Sequence, residues 1–100
     1  MPAVITIEVE MPMAVNVSVS EDTLSVDLRD GRSISVPVDW YPRLANGSTK
    51  ERNNWSLIGP GVGIHWEELD EDISTLGLIE GKPSNEGQES LRQWLATRQS

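Results

Sequence analysis

From residue 15 to residue 38, apolar side chains fall at every second position: Val15, Val17 and Val19, then Leu24, Val26 and Leu28, then Ile34, Val36 and Val38. A period of two marks strands with one buried and one wet face. The intervening positions are Asn16, Ser18, Ser25, Asp27, Ser33 and Ser35, which argues for a one-sided antiparallel meander, because strands of a parallel sheet are covered on both faces. Register follows from parity, since directly opposed residues share a face and a one-residue slip would expose every valine. A two-residue turn at Asp30-Gly31 would set Leu28 against Ser33, whereas a three-residue turn of Arg29, Asp30 and Gly31, with Gly31 at positive φ, sets Leu28 against Arg32 and Val26 against Ile34. The bulged turn is expected. Between the first two strands, a four-residue loop of Ser20, Glu21, Asp22 and Thr23 brings Val19 opposite Leu24.

Outside the meander the periodicity changes. Upstream, Ile5, Ile7 and Val9 alternate and suggest an edge strand, with Pro12 as the break. Downstream, Asp39 is expected to cap a turn through Trp40 to Ala45 that ends at Asn46-Gly47. Ser48 followed by Glu51 has capping-box spacing and predicts a helix over 49–55. Residues 56–58 and 64–66 read as two short extended pieces around the glycine-rich link 59–63, and Ile73 ends an acidic segment. Ser74 caps a helical turn carrying Leu76, Leu78 and Ile79 that stops at Gly81. Leu91, Trp94, Leu95 and Arg98 recur at helical spacing and predict a helix over 86–97 with a narrow apolar stripe. The class is α+β, a small antiparallel β-meander with hairpins, short helices and a C-terminal helix. Residues 1–83 form the domain and 84–100 an amphipathic appendage, the short helices covering the oily side of the meander.

Composition narrows the partners. A chain of 100 residues is one domain, and 37% hydrophobic content is enough to fold it. Sixteen carboxylates against eight Lys and Arg give a net charge of −8, which opposes nucleic-acid phosphates except at a local basic patch. Such a patch would need Arg29, Arg32, Arg43 and Arg52 on one face, so direct nucleic-acid or transcription-related binding is a lesser alternative. Without cysteine there is no disulfide frame and no thiolate chemistry, which suits a reducing cytoplasm. Nowhere do 18 apolar residues run together and residues 1–10 lack a signal pattern, so a soluble cytoplasmic protein with no membrane contact is expected.

His65 is the only histidine and precedes Glu67, Glu68, Asp70, Glu71 and Asp72. One reading is a divalent-metal site of His65 with Glu67, Asp70 and Asp72, or a small hydrolase-like enzyme with His65 as general base. The other is a hydrogen-bonded histidine beside a solvated acidic loop; it carries more weight, since acids clustered in sequence normally face solvent. A triad of Ser56 or Ser74 with His65 lacks a nucleophile-elbow motif. Residues 59–63 read as a structural turn, because Pro60 removes a donor and no basic residue follows until Lys82. No cofactor is expected. Four tryptophans stand in for an absent phenylalanine; most belong in the core, and an exposed one would mark a partner surface.

The order of residues also resembles a known family. The segments Leu28-Arg29-Asp30-Gly31-Arg32-Ser33-Ile34-Ser35-Val36-Pro37, Trp40-Tyr41-Pro42-Arg43-Leu44, Glu51-Arg52-Asn53-Asn54-Trp55 and Leu57-Ile58-Gly59 are similar to those of the domain of unknown function 2442 family. So are Gly63-Ile64-His65-Trp66 and Leu69-Asp70-Glu71-Asp72-Ile73-Ser74, its most specific stretch. The resemblance spans about residues 15–84 and implies a small α+β fold like the N-terminal domain of a Nitrosomonas protein of known structure. Some relatives carry a helix-turn-helix domain, for which this chain has too little room after Gly81, and others are encoded beside a small partner in toxin-antitoxin-like arrangements. The family brings no catalytic residue to carry over.

The expectation is thus a non-enzymatic protein-interaction module, antitoxin-like, whose acidic surface suits a basic protein partner. Trp66, Leu91, Trp94 and Leu95 are the candidate interaction residues, the terminal stripe docking on a partner or on a second copy in a homo-oligomer.

Overall fold

The computed structural model describes residues 12–98. The alternation at Ile5, Ile7 and Val9 lies outside the described residues. Strands β1 (Ala14–Val19), β2 (Thr23–Leu28) and β3 (Ser33–Pro37) form an antiparallel sheet in the order β1-β2-β3. Its pairing is the one parity demands: Val17 faces Val26, Val26 faces Ile34, and Val19 faces Leu24. The β2–β3 turn is the bulged one, with Leu28 N–H donating to the Arg32 carbonyl and Gly31 at φ +94. Val15 departs from expectation. The register shifts between Ala14 and Asn16, so Val15 is the extra residue, turned to solvent, and Ala14 takes its place in the core.

Beyond β3 comes a 3-10 turn (Val38–Trp40), followed by helices α1 (Pro42–Ala45) and α2 (Thr49–Asn53). Asp39 lies inside the 3-10 turn and does not cap; α1 starts with Pro42, whose fixed φ suits a first helical position. At α2 both halves of the capping box form, Ser48 Oγ accepting from Glu51 N–H and Glu51 accepting from Ser48 N–H. This helix ends at Asn53, before the expected limit, because Trp55 pairs with Trp66 across a sheet.

That second sheet is the main addition to the sequence-based fold. Strands β4 (Trp55–Ile58), β5 (Gly63–Trp66) and β6 (Glu71–Ser74) pair antiparallel in the order β4-β5-β6. The stretch expected to be only an acidic segment contributes β6, with Ile73 opposite Ile64 as its buried residue. Helix α3 (Thr75–Ile79) follows, its Ser74 cap accepting from Gly77 N–H. Helix α4 (Gln88–Thr97) starts two residues later than the expected position 86.

One core joins both sheets. Leu24, Val26 and Val36 from the first meet Ile64, Trp66 and Ile73 from the second, with Tyr41, Leu44, Leu69 and Leu78 between. The cover of the meander is therefore shared by a sheet and short helices. The sheets are joined at Gly61, whose carbonyl accepts from Ala14 N–H at 2.7 Å and from the buried Thr75 hydroxyl at 2.8 Å.

Candidate functional site

Pairing in the second sheet decides where each acid of residues 67–72 goes. Opposed residues share a face, so Trp55, Trp66 and Glu71 lie with Leu57, Ile64 and Ile73 on the inward side, while Ser56, His65 and Asp72 lie outward.

On the outward face, His65 Nδ1 is hydrogen-bonded to Asp72, its direct cross-strand partner, and Nε2 lies 2.8 Å from Glu67 Oε2. An imidazole held at both nitrogens by carboxylates is stabilised as imidazolium, and its pKa is raised above 6.5, mainly by Asp72 and then by Glu67. Both ring nitrogens are thereby committed, neither to Ser56, the residue opposite on β4. Asp70 is not brought to this group. It sits in the turn at φ +49 with its carboxylate 3.5 Å from Arg43, while Leu69 beside it is fully buried. Among the described residues no group of three or more His, Cys, Asp or Glu side chains is arranged to hold a metal ion.

On the inward face, Glu71 borders a cleft of about 420 Å³ with Tyr41, Ser74, Lys82, Ser84 and Asn85. Burial pushes its carboxyl up to about 7, against the opposing pull of the nearby Arg43 charge. Tyr41, whose hydroxyl donates to the Lys82 carbonyl, is pushed up to about 12, first by burial and then by the Glu71 charge. A carboxyl titrating near neutrality can exchange a proton with a bound group, the general requirement for acid or base work. The hydroxyls of Ser74 and Ser84 both accept backbone N–H bonds here, from Gly77 and Glu86.

Of the terminal stripe, Trp94 is placed on the chain's own body. Trp94 packs half-buried against the core, with the guanidinium carbons of Arg43 and Arg98 over its ring at 5.0 and 4.7 Å. Arg43 also binds Glu86 through Nε at 2.5 Å, and Arg98 grips Glu51 with two bonds of 2.6 and 3.0 Å. Leu91 and Leu95 are half-buried on the same helix. Trp66, expected on a partner surface, is 0% exposed and donates its indole N–H to the Arg52 carbonyl at 2.9 Å; the inward register of β5 makes it core. Sequence reasoning missed Tyr41, Arg43, Glu51, Glu71 and Glu86 as site-forming residues. Only the Ser48/Glu51 spacing announced that one of them would be held in place.

The remaining arginines of the proposed basic patch each bind groups of the chain itself. Arg29 bonds the Pro60 carbonyl at 3.2 Å, Arg32 pairs with Asp30 at 2.8 Å, and Arg52 ties down the carbonyls of Leu44, Ala45 and Ser20.

Two three-stranded antiparallel sheets sharing a core with short helices define a small α+β domain. The chain belongs to the DUF2442 family, a protein family of unknown function, whose model matches residues 14–84. A crystal structure of a protein of unknown function from Rhodospirillum rubrum is similar, at 29% identity and TM-score 0.66, covering 77% of this chain and 95% of that one. The solution NMR structure of an uncharacterized protein from Chromobacterium violaceum shares the fold, at 20% identity and TM-score 0.63, covering 86% of this chain and 75% of that one. Among curated proteins none matches the chain. No helix among the described residues is long and apolar enough to cross a membrane.

Proposed function

We propose that this chain is a non-enzymatic protein-interaction module, the acidic, antitoxin-like member of a two-protein system, and that it takes a basic polypeptide as partner in the cytoplasm. The observation that carries the reading is the disposition of charge. All six arginines are committed to carboxylates or carbonyls of the chain itself. The carboxylates are in excess, and those of Glu67, Asp70 and Asp72 are 81%, 87% and 66% exposed. A surface with this excess of exposed carboxylates disfavours phosphate backbones and speeds encounter with a positively charged protein. Absence of cysteine fits a reducing compartment.

The test is to co-express the full chain with the polypeptide encoded beside its gene and to measure the mass of the purified material by light scattering. A stoichiometric heterocomplex is expected. Elution of the two proteins separately, with only the homo-oligomer or monomer of this chain present, would count against the reading.

A further inference from the structure

We propose that the notch formed by Glu51 and Trp94 is a receptor for an arginine side chain, filled in cis by Arg98 and open to an arginine of the basic partner once Arg98 withdraws. The inference deepens the interaction-module reading, on which it rests, by naming the chemistry that one part of the surface takes.

The notch already holds a guanidinium in the manner such a group demands. Arg98 Nη2 reaches Glu51 Oε1 at 2.6 Å and Nη1 reaches Oε2 at 3.0 Å, a parallel fork that an ammonium cannot reproduce. The same guanidinium lies 4.7 Å from the Trp94 ring centroid, so one planar cation is read by a fork and an aromatic surface together. The carboxylate is set in advance: Glu51 Oε1 accepts from Ser48 N–H at 2.8 Å, and Glu51 N–H donates to Ser48 Oγ at 3.1 Å. Both bonds belong to the start of α2 and do not depend on Arg98, so the acceptor keeps its aim when the ligand changes. Arg98 holds the Glu51 carboxyl down at about 2, with the Ser48 backbone bond as the second cause; the carboxylate is therefore available at every physiological pH.

The cis ligand is well placed to be exchanged. Arg98 stands at the C-terminal cap of α4, a helix none of whose residues is fully buried, and residues 85–98 lie past the 14–84 span that the family shares. The ion pair is partly open to water, its side chains being 26% and 17% exposed, and because Arg98 is tethered, a partner's arginine displaces it only with the help of further contacts made elsewhere by the same partner.

The experiment uses the full chain with Arg98→Ala, and Arg98→Gln as a second opened variant. N-acetyl-L-arginine amide is titrated in while the Trp94 indole N–H and the Glu51 amide are followed by NMR, with the citrulline and lysine amides as uncharged and unforked controls. In a folded opened variant, saturable shifts at both reporters are expected, with the arginine amide at least about tenfold tighter than the citrulline amide and tighter than the lysine amide. They should vanish in Glu51→Gln combined with Arg98→Ala. Equal response to citrulline, response away from α2 and α4, or no response in either variant would overturn the proposal. Saturation here with no heterocomplex under co-expression would leave the receptor standing and remove the partner, so the two readings fail separately.

Discussion

Replacing Gly61 with alanine probes the joint on which the whole architecture turns. Gly61 has φ +118, a region that side-chain-bearing residues essentially do not enter, and a Cβ there would lie 2.3 Å from the Ala14 carbonyl oxygen and 2.9 Å from its nitrogen. Ala14 is fully buried, so it cannot retreat without carrying β1 along. Backbone strain of this kind costs about 1–3 kcal/mol. Displacing the Gly61 carbonyl also leaves the Ala14 N–H and the Thr75 hydroxyl short of an acceptor, and each buried unsatisfied group adds roughly 1–3 kcal/mol. A total loss of about 3 kcal/mol or more follows, a large part of the stability of a domain this size and worth roughly 12–24 °C in Tm. Gly31→Ala is the matched control, since its φ of +94 carries strain but its Cβ would meet nothing within 4 Å. Urea denaturation followed by tryptophan fluorescence measures both. Gly61→Ala should lose at least about 2 kcal/mol more than Gly31→Ala, the least that two orphaned groups supply. A difference below about 0.5 kcal/mol, the usual spread for harmless surface changes, would refute the claim that Gly61 locks the two sheets together.

Three further outcomes are expected. Because the Glu71 carboxyl is raised to about 7, its contribution to stability is present below its unfolded value and lost as pH rises through 7; Glu71→Gln should therefore raise Tm relative to the parent at pH 8 and leave the two nearly equal at pH 5. The His65 ring protons should titrate above 6.5 by NMR, with Asp72→Asn lowering the midpoint more than Glu67→Gln, since the Asp72 bond is the larger cause; a midpoint at 6.5 in all three would show that the cluster does not form in solution. Leu69→Ala removes a fully buried side chain that packs close to Gly47 and should cost about 2–5 kcal/mol in urea denaturation, whereas a polar-loop role for the 67–70 turn predicts almost none.

The first sheet was legible because two independent constraints agreed: alternation marked its strands, and the parity of Leu28 and Ile34 excluded the shorter turn. Val15 escaped this logic because a bulge breaks parity without changing the apolar pattern. Strand β6 was obscured by composition. Four residues with one aliphatic side chain among acids read as a loop, and only the pairing of Ile73 with Ile64 reveals the strand. Missing β6 hid the inward position of Glu71, since a run of acids says nothing about which member faces in until a register exists. The contacts of Arg43 with Glu86 and of Glu51 with Arg98 are 43 and 47 residues apart in sequence, and no periodicity connects them. The helix stripe was visible, but which surface it meets is a tertiary matter: Trp94 packs on its own domain, between residues contributed by α1 and α4.

The proposed recognition of a basic polypeptide by the acidic, internally arginine-committed surface makes binding depend on salt. Isothermal titration of the full chain with the polypeptide encoded beside its gene, at 50 and 300 mM salt, tests it most directly. A one-to-one complex whose Kd rises at least about tenfold between the two conditions is predicted, because exposed charge pairs are screened over distances near 10 Å at 0.1 M salt. No heat of binding at low salt, or an affinity indifferent to salt, would rule out electrostatic recognition of a basic polypeptide.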